Sequence, residues 1–216
     1  AFGQFRLSAL LASFLDQYPQ VDIELILDDR TVDLVKEGVD IALRQGRELP
    51  PDAVARLAGV SPRHLVAAPS YLKLRGEPRQ PQELADFDYI RFAWLADGAM
   101  LTLHSGDEIE SVATRGRFRV NNALAIRDSL AAGGGIGLCP LWLVQDLLDS
   151  GELVRVLPQW EGQPQALHLL SPSRRYQPLR ARLLLDHLAR QIAQLPGYAS
   201  QPGHPSTDSA GRVMKG

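Results

Sequence analysis

The chain has 216 residues, 45% of them hydrophobic and 22% charged, which supplies a core and excludes a disordered polyelectrolyte. Its 23 Lys and Arg against 25 Asp and Glu leave a net charge of −2, without the basic surplus of a module that grips phosphate backbone. A single cysteine, Cys139, excludes an intramolecular disulfide, the five histidines are too scattered for a structural zinc site, and no run approaches about 20 apolar residues.

In chain order, Phe2, Phe5, Leu10, Leu11, Phe14, Leu15 and Tyr18 recur at helical spacing until Pro19, which predicts an amphipathic helix. Val21, Ile23, Leu25 and Leu27 alternate with Asp22, Glu24 and Asp28, which predicts a strand. Thr31 is placed to cap a short helix ending at Gly38, and residues 39–43 return as an apolar strand. This α-β-α-β order predicts a parallel sheet whose ligand sites lie beyond the C-terminal strand ends, where Arg44, Gln45 and Gly46 follow.

Residues 53–58 and 64–68 read as two further strands, and Ser70 opens a short helix. A strand at Tyr89-Ile90-Arg91-Phe92 precedes a hairpin over 100–120 that turns at Ser105-Gly106-Asp107. A helix over 123–132 breaks at Gly133-Gly134-Gly135, a strand spans 136–139, and Pro140 starts a helix to about Leu148. Strands at 153–157 and 166–171 lead to a last helix with Leu179, Leu183, Leu184, Leu188 and Ile192 on one face, which is expected to return over the first half. The pattern predicts lobe I over 1–67 plus 169–197, lobe II over 68–168, and a disordered tail over 198–216.

Enzyme signatures fail. None of Lys36, Lys73 and Lys215 follows a glycine as a P-loop lysine does, and neither a G-x-S-x-G elbow nor an H-E-x-x-H helix occurs. The glycines at 133–137 follow a helix instead of opening one, and the dinucleotide fingerprint breaks at Pro140, so no cofactor is expected. Cys139 reads as a buried thiol rather than a nucleophile, since no His or Arg neighbours it. Arg115, Arg117 and Arg119 fit a solvated strand face or an anion-binding stripe. His168 fits a hydrogen-bonded core histidine or a hinge that senses ligand or pH. Trp94, Trp142 and Trp160 fall in or beside predicted loops, Trp94 either lining a cleft or packing.

The run Leu10-Leu11-Ala12-Ser13-Phe14-Leu15 through Pro19 to Ile23-Glu24-Leu25, followed by Asp33-Leu34-Val35-Lys36-Glu37-Gly38-Val39-Asp40-Ile41-Ala42-Leu43-Arg44, resembles the effector-binding domain of LysR-type transcriptional regulators. Ala67-Ala68-Pro69-Ser70-Tyr71-Leu72, the glycine-rich stretch from Asn121-Asn122 to Pro140, and Gly151-Glu152-Leu153-Val154-Arg155 follow in the same order. The resemblance implies an α/β, two-lobed periplasmic-binding-protein-like (type 2) fold, with mixed sheets flanked by helices and a small-molecule effector in the cleft. It further implies a homodimer or tetramer pairing through the first helix and the helix at 123–132. DNA binding would come through an N-terminal winged helix-turn-helix that this chain does not include, and the expected location is cytoplasmic, with no membrane partner. The alternative on the same fold is a solute-binding protein of a transport system.

Carried over residue by residue, the implied effector site comprises Ala1, Phe2, Arg44, Gln45, Gly46, Arg91, Phe92, Asn121, Asn122, Leu138 and Pro140. In the family a strand precedes the first helix and a Ser or Thr often stands at its start, holding an effector carboxylate together with free helix N–H groups; here Ala1 takes that place. Arg44 suits a bidentate carboxylate pair or an ion pair with Asp40 or Glu48. Asn121 suits an effector hydrogen bond, and Asn122 a helix cap.

Overall fold

The computed structural model describes residues 1–28, 33–46, 49–50, 53–93, 100–172 and 177–199. Thr31, Glu48, Trp94 and the stretch 200–216 lie outside the described residues. A π-helical turn, Gly3–Leu7, runs straight into α1 (Ser8–Gln17). Leu7, Leu10, Leu11 and Phe14 form its buried side, the stripe that helical spacing predicts.

The strand expected over 21–27 does not form. Residues 21–28 carry no ladder, and Leu25, Ile26 and Leu27 are exposed by 38%, 67% and 56%. Alternation makes a segment two-faced, but a strand exists only when a neighbour takes its backbone groups, and no described strand pairs here. The helix expected next is a turn at 34–38 begun by Asp33, whose carboxylate accepts from the N–H groups of Val35 and Lys36 at 3.1 and 3.2 Å. Gly38 takes the left-handed conformation expected of it (φ 66°).

Strand β1 (Ala42–Gln45) begins later than predicted. The two strands read at 53–58 and 64–68 are one, β2 (Ala53–Ala67). The intervening Gly-Val-Ser-Pro looks like punctuation but produces register shifts at Leu57/Gly59 and Ser61/Arg63 inside a continuous ladder. Helix α2 (Pro69–Arg75) and a 3-10 turn, Pro81–Asp86, lead to β3 (Arg91–Phe92). The hairpin forms as β4 (Met100–Ser105) and β5 (Glu108–Ala113), with Gly106 at φ 57° in its turn. Strand β6 (Arg119–Val120), α3 (Ala123–Ala131), β7 (Ile136–Pro140) and α4 (Leu141–Ser150) follow, and then β8 (Val154–Arg155), β9 (Glu161–Pro172) and α5 (Leu179–Ile192).

The main sheet has the order β5-β4-β9-β2-β7, with β1 on β9 and β8 on β2. Every pair in it is antiparallel, so the parallel sheet predicted from α-β-α-β order is corrected. Strands β1 and β2 do run the same way, but β9, from the far end of the chain, is inserted antiparallel between them. Among the described residues a parallel pair, β3 with β6, forms a separate two-stranded sheet, and isolated parallel bridges join Asp88 to Arg115 and Tyr89 to Ile136.

Two hydrophobic clusters follow this division. The larger gathers the first helix, α3, α4 and α5 around Val66, Leu167 and Leu169. The smaller encloses Leu65, Leu103, Ile136, Val156 and Trp160. Helix α5 returns over β2 and α1, as expected, but Leu179 at its start is 65% exposed, and the buried face is Ala181, His187, Leu188, Ala189 and Ile192. Leu65, fully buried on β2, faces Leu138 across the ladder. Leu65→Ala is expected to destabilise the fold by about 2–5 kcal/mol through lost burial and a cavity, measured as a lower urea midpoint with an unchanged slope.

Candidate functional site

The first helix opens without a side-chain cap, so its initial N–H groups stay available to an acceptor. Phe5 N–H donates to the Ala1 carbonyl at 2.9 Å. Phe2 is 6% exposed. Its ring stands edge-on to Trp142 at 5.3 Å and to Tyr198 at 6.1 Å. Ala1 and Phe2 belong to the same hydrophobic cluster as Leu43, Phe92, Val120 and Ala123. Residues next to Arg44, Arg91, Asn121 and Asn122 thus belong to the same core that the start of the first helix joins.

The predicted residues differ in what they do. Arg44 lies opposite His168 and Gln45 opposite Leu167 in the β1–β9 ladder. Gly46 closes β1 at φ 105°, its N–H donating to the Ala166 carbonyl. Gln45 lies close enough to Tyr198 to act on its hydroxyl, yet the buried Gln45 Nε2 and Tyr198 Oη both lack a hydrogen bond of good geometry. Burial pushes the Tyr198 hydroxyl up in pKa, with Gln45 and Arg6 acting the other way. Arg91 and Phe92 pair with Arg119 and Val120. Asn121 is exposed, whereas Asn122 caps α3, its side-chain oxygen accepting from Leu124 and Ala125 N–H at 2.9 and 3.1 Å.

Leu138 is set apart: it packs against the second cluster, and its N–H donates to the Tyr89 hydroxyl at 3.3 Å. Pro140 is buried opposite Arg63 and leads into α4. Two open depressions, of about 270 and 450 Å3, lie elsewhere. One is lined by His104, Gly106, Glu161 and Pro164 among others, the other by Glu77, Arg79 and Leu157, and neither includes any of the eleven predicted residues.

The predicted list omits the residues that fill the junction. Trp142, expected in or beside a loop, is inside α4 and 1% exposed. Its indole N–H donates to Gln165 at 3.0 Å, and its carbonyl accepts from Arg6 Nη2 at 3.0 Å. Arg127 joins α3 to α4 by a two-pronged pair with Asp146 and lies 5.0 Å over the Phe5 ring. The Arg127 hydrogen bonds hold the Asp146 carboxyl below the usual range. Sequence signals existed, since Pro140 marks a helix start that places Trp142 in its first turn, but nothing local pairs Trp142 with Arg6 or Gln165.

Burial shifts a few titratable groups toward their uncharged forms. Cys139 is buried and its thiol is pushed up to about 12, in keeping with the buried reading. Tyr89 is likewise pushed up to about 12. Arg115, Arg117 and Arg119 are exposed, but they do not form a strand face: only Arg119 lies in a strand, and Phe118 between them is exposed too. His168 is half-buried, and its buried Nδ1 has no hydrogen-bond partner among the described residues. A Ser13–His187 contact of 3.1 Å resembles a nucleophile and its base. His187 Nε2, however, also lies 3.2 Å from the Leu10 carbonyl, which only accepts, so Nε2 carries the proton and is no base toward Ser13.

With this geometry in view, the chain belongs to the LysR substrate-binding family: residues 1–193 match the family described as LysR substrate binding domain. Among curated relatives, it is 32% identical to the HTH-type transcriptional regulator PtxR of Pseudomonas aeruginosa over 93% of this chain and 64% of that protein. It is 31% identical to the probable HTH-type transcriptional regulator LtrA of Klebsiella pneumoniae, over 94% and 66%. The chain thus spans about two thirds or slightly less of the length of these relatives. Among solved structures it is similar to the regulatory domain of AphB from Vibrio vulnificus, with a TM-score of 0.75 and 26% identity over 88% of this chain and 94% of that one. It also matches full-length AphB of Vibrio cholerae, described as a virulence activator of the LTTR family, at a TM-score of 0.77 and 26% identity over 88% and 65%. The fold is the two-lobed periplasmic-binding-protein-like fold of those regulatory domains, and the matched relatives are transcriptional regulators, which disfavours the transport alternative.

His64 is buried, with Nε2 3.1 Å from Glu161, and burial followed by Arg155 lowers its pKa; burial also lowers His168. A histidine depressed in the folded state stabilises above its ordinary value, near 6.5, and the contribution is lost as pH falls and unfolding takes up a proton. The melting temperature is expected to drop between pH 7.5 and 5.5, and a His64→Gln variant to show a shallower drop over the same range.

Proposed function

We infer that this chain is the effector-sensing and dimerisation part of a LysR-type transcriptional regulator, acting by binding rather than catalysis. The observation that carries the reading is the family match across residues 1–193 combined with a fold shared with regulatory domains. The whole protein binds DNA through an N-terminal winged helix-turn-helix, works in the cytoplasm, and pairs through the outer face of α1 and through α3 as a dimer or tetramer. Its lobes divide as residues 1–67 plus 169–197 against 68–168.

The effector is a small molecule held between the start of the first helix and the segments bearing Arg44, Gln45, Arg91 and Asn121. A carboxylate is the first candidate class, because uncapped helix N–H groups and a nearby guanidinium both favour an anion. Regulation requires that the effector bind one lobe arrangement better than the other, with a coupling of about 1–3 kcal/mol typical of such devices.

A thermal-shift screen against aromatic and aliphatic carboxylates, amino acids, sugars and neutral metabolites tests this reading. A ligand at 100 times its dissociation constant is expected to stabilise the domain by about 2.7 kcal/mol. Arg44→Ala is expected to weaken a carboxylate hit at least tenfold in calorimetric titration, and unchanged affinity would remove Arg44 from the site.

A further inference from the structure

After α5 the chain turns back against β2 and α4 at residues 195–199, half-buried, and its contacts there are close. Ala199 N–H donates to the Val60 carbonyl at 2.9 Å, adding a bridge to the edge of β2. The Tyr198 ring lies on Gly59, where a Cβ would stand 2.7 Å from Tyr198 Cδ1. Gly197 is at φ +83°, and a Cβ on it would collide with the backbone of Leu141 and Trp142 at the head of α4. Only glycine lets these two backbones touch.

One buried hydroxyl ties the contact together. Ser61, fully buried at the second register shift of β2, donates its Oγ hydrogen to the Gly197 carbonyl at 2.6 Å. The same oxygen accepts from Trp142 N–H at 3.2 Å, one of the donors left open at the start of α4. Gln165, directly opposite Ser61 in the β2–β9 ladder, receives the Trp142 indole N–H. Ser61 and Gln165 stand where both long strands change partners, from the β1 half of the sheet to the β7 half.

We propose that residues 195–199 are a strap that locks α4 onto the crossing between the two halves of the sheet, with the Gly197–Ser61–Trp142 contact as its bolt. With the strap seated, α4 is fixed to the crossing strands and, through the Trp142 carbonyl and Arg6, to the first helix. With the strap lifted, the Ser61 hydroxyl loses the Gly197 carbonyl that orients it, the bond it accepts from the Trp142 N–H loosens, and α4 is free to shift. Phe2 borders both Trp142 and Tyr198, and Gly197 abuts the Trp142 backbone, so a molecule inserted between the first helix and α4 disturbs the bolt itself. That last step rests on the effector reading; the lock does not.

The test uses the full 216-residue chain without ligand, with hydrogen exchange followed at single residues. Gly197→Ala, strained in φ and blocked by the α4 backbone, is expected to accelerate exchange at the Trp142 amide and indole N–H at least tenfold. The amides of Leu65 and Ile136 should stay as protected as in the parent. Unchanged protection at Trp142, or equal acceleration at all these positions, would overturn the proposal. Ser61→Ala removes only the hydroxyl and serves if Gly197→Ala does not fold. It is expected to accelerate the Trp142 amide selectively, and an unaltered amide there overturns the lock.

Discussion

The structure depends on the antiparallel pairing of β2 with β9, from Ala53 opposite Pro172 to His64 opposite Glu161. Each strand is long enough to serve both halves of the sheet. Strands β1 and β4 attach through β9, and β7 and β8 through β2, so every other strand of the main sheet except β5 hydrogen-bonds directly to one of these two. The partners lie about a hundred residues apart in the chain, and such a ladder pays its loop-closure entropy before any contact rewards it. Gly59 and Pro62 belong to the shifts that let β2 change direction between the halves without breaking. The junction where the bulges fall is also where Ser61 and Gln165 meet α4.

What was legible in the sequence is what local chemistry decides. Asn122 caps α3, Gly38 takes the left-handed conformation, Gly106 turns the β4–β5 hairpin, and Gly133 follows the end of α3 at φ 79°, each a short-range choice of dihedral angle or donor. What was not legible is what a distant partner decides. Alternation at 21–27 looks like a strand, but its status depends on a neighbouring ladder. Strand β2 looks like two strands because Gly59 and Pro62 punctuate it, and only β9 shows that they are bulges. The direction of the sheet was misread for the same reason: β1 and β2 are co-directional, and the strand between them comes from the last third of the chain.

The site divides along the same line. Resemblance names Arg44, Gln45, Arg91, Phe92, Asn121 and Asn122, which lie on or beside strands β1, β3 and β6. It leaves out Arg6, Ser61, Trp142, Gln165 and Tyr198, whose importance arises from pairings across the molecule. Leu138, expected with the others, faces the second cluster because side chains alternate along β7, and the same alternation puts its neighbour Cys139 in the first. The polar groups at the junction are of two kinds. The Trp142 and Ser61 bonds are satisfied, whereas Gln45 Nε2 and Tyr198 Oη are buried without a well-formed partner among the described residues.

A junction filled by Phe2, Trp142 and Tyr198 constrains how any ligand acts there. An effector cannot be added to this arrangement; it must replace contacts between the rings or bind a form in which they have separated. If the separated form is a minor fraction of the free protein, the apparent affinity falls by that fraction, and whatever raises the fraction raises affinity without touching the ligand. On the proposed effector reading, the same linkage would make a ligand seated there a lever on the halves of the sheet, because the rings that resist it belong to the proposed lock of α4 on the crossing strands. A tightly filled junction is therefore compatible with sensing. It sets the differential affinity from which a conformational signal is made, since a ligand that fitted both arrangements equally would leave their populations unchanged.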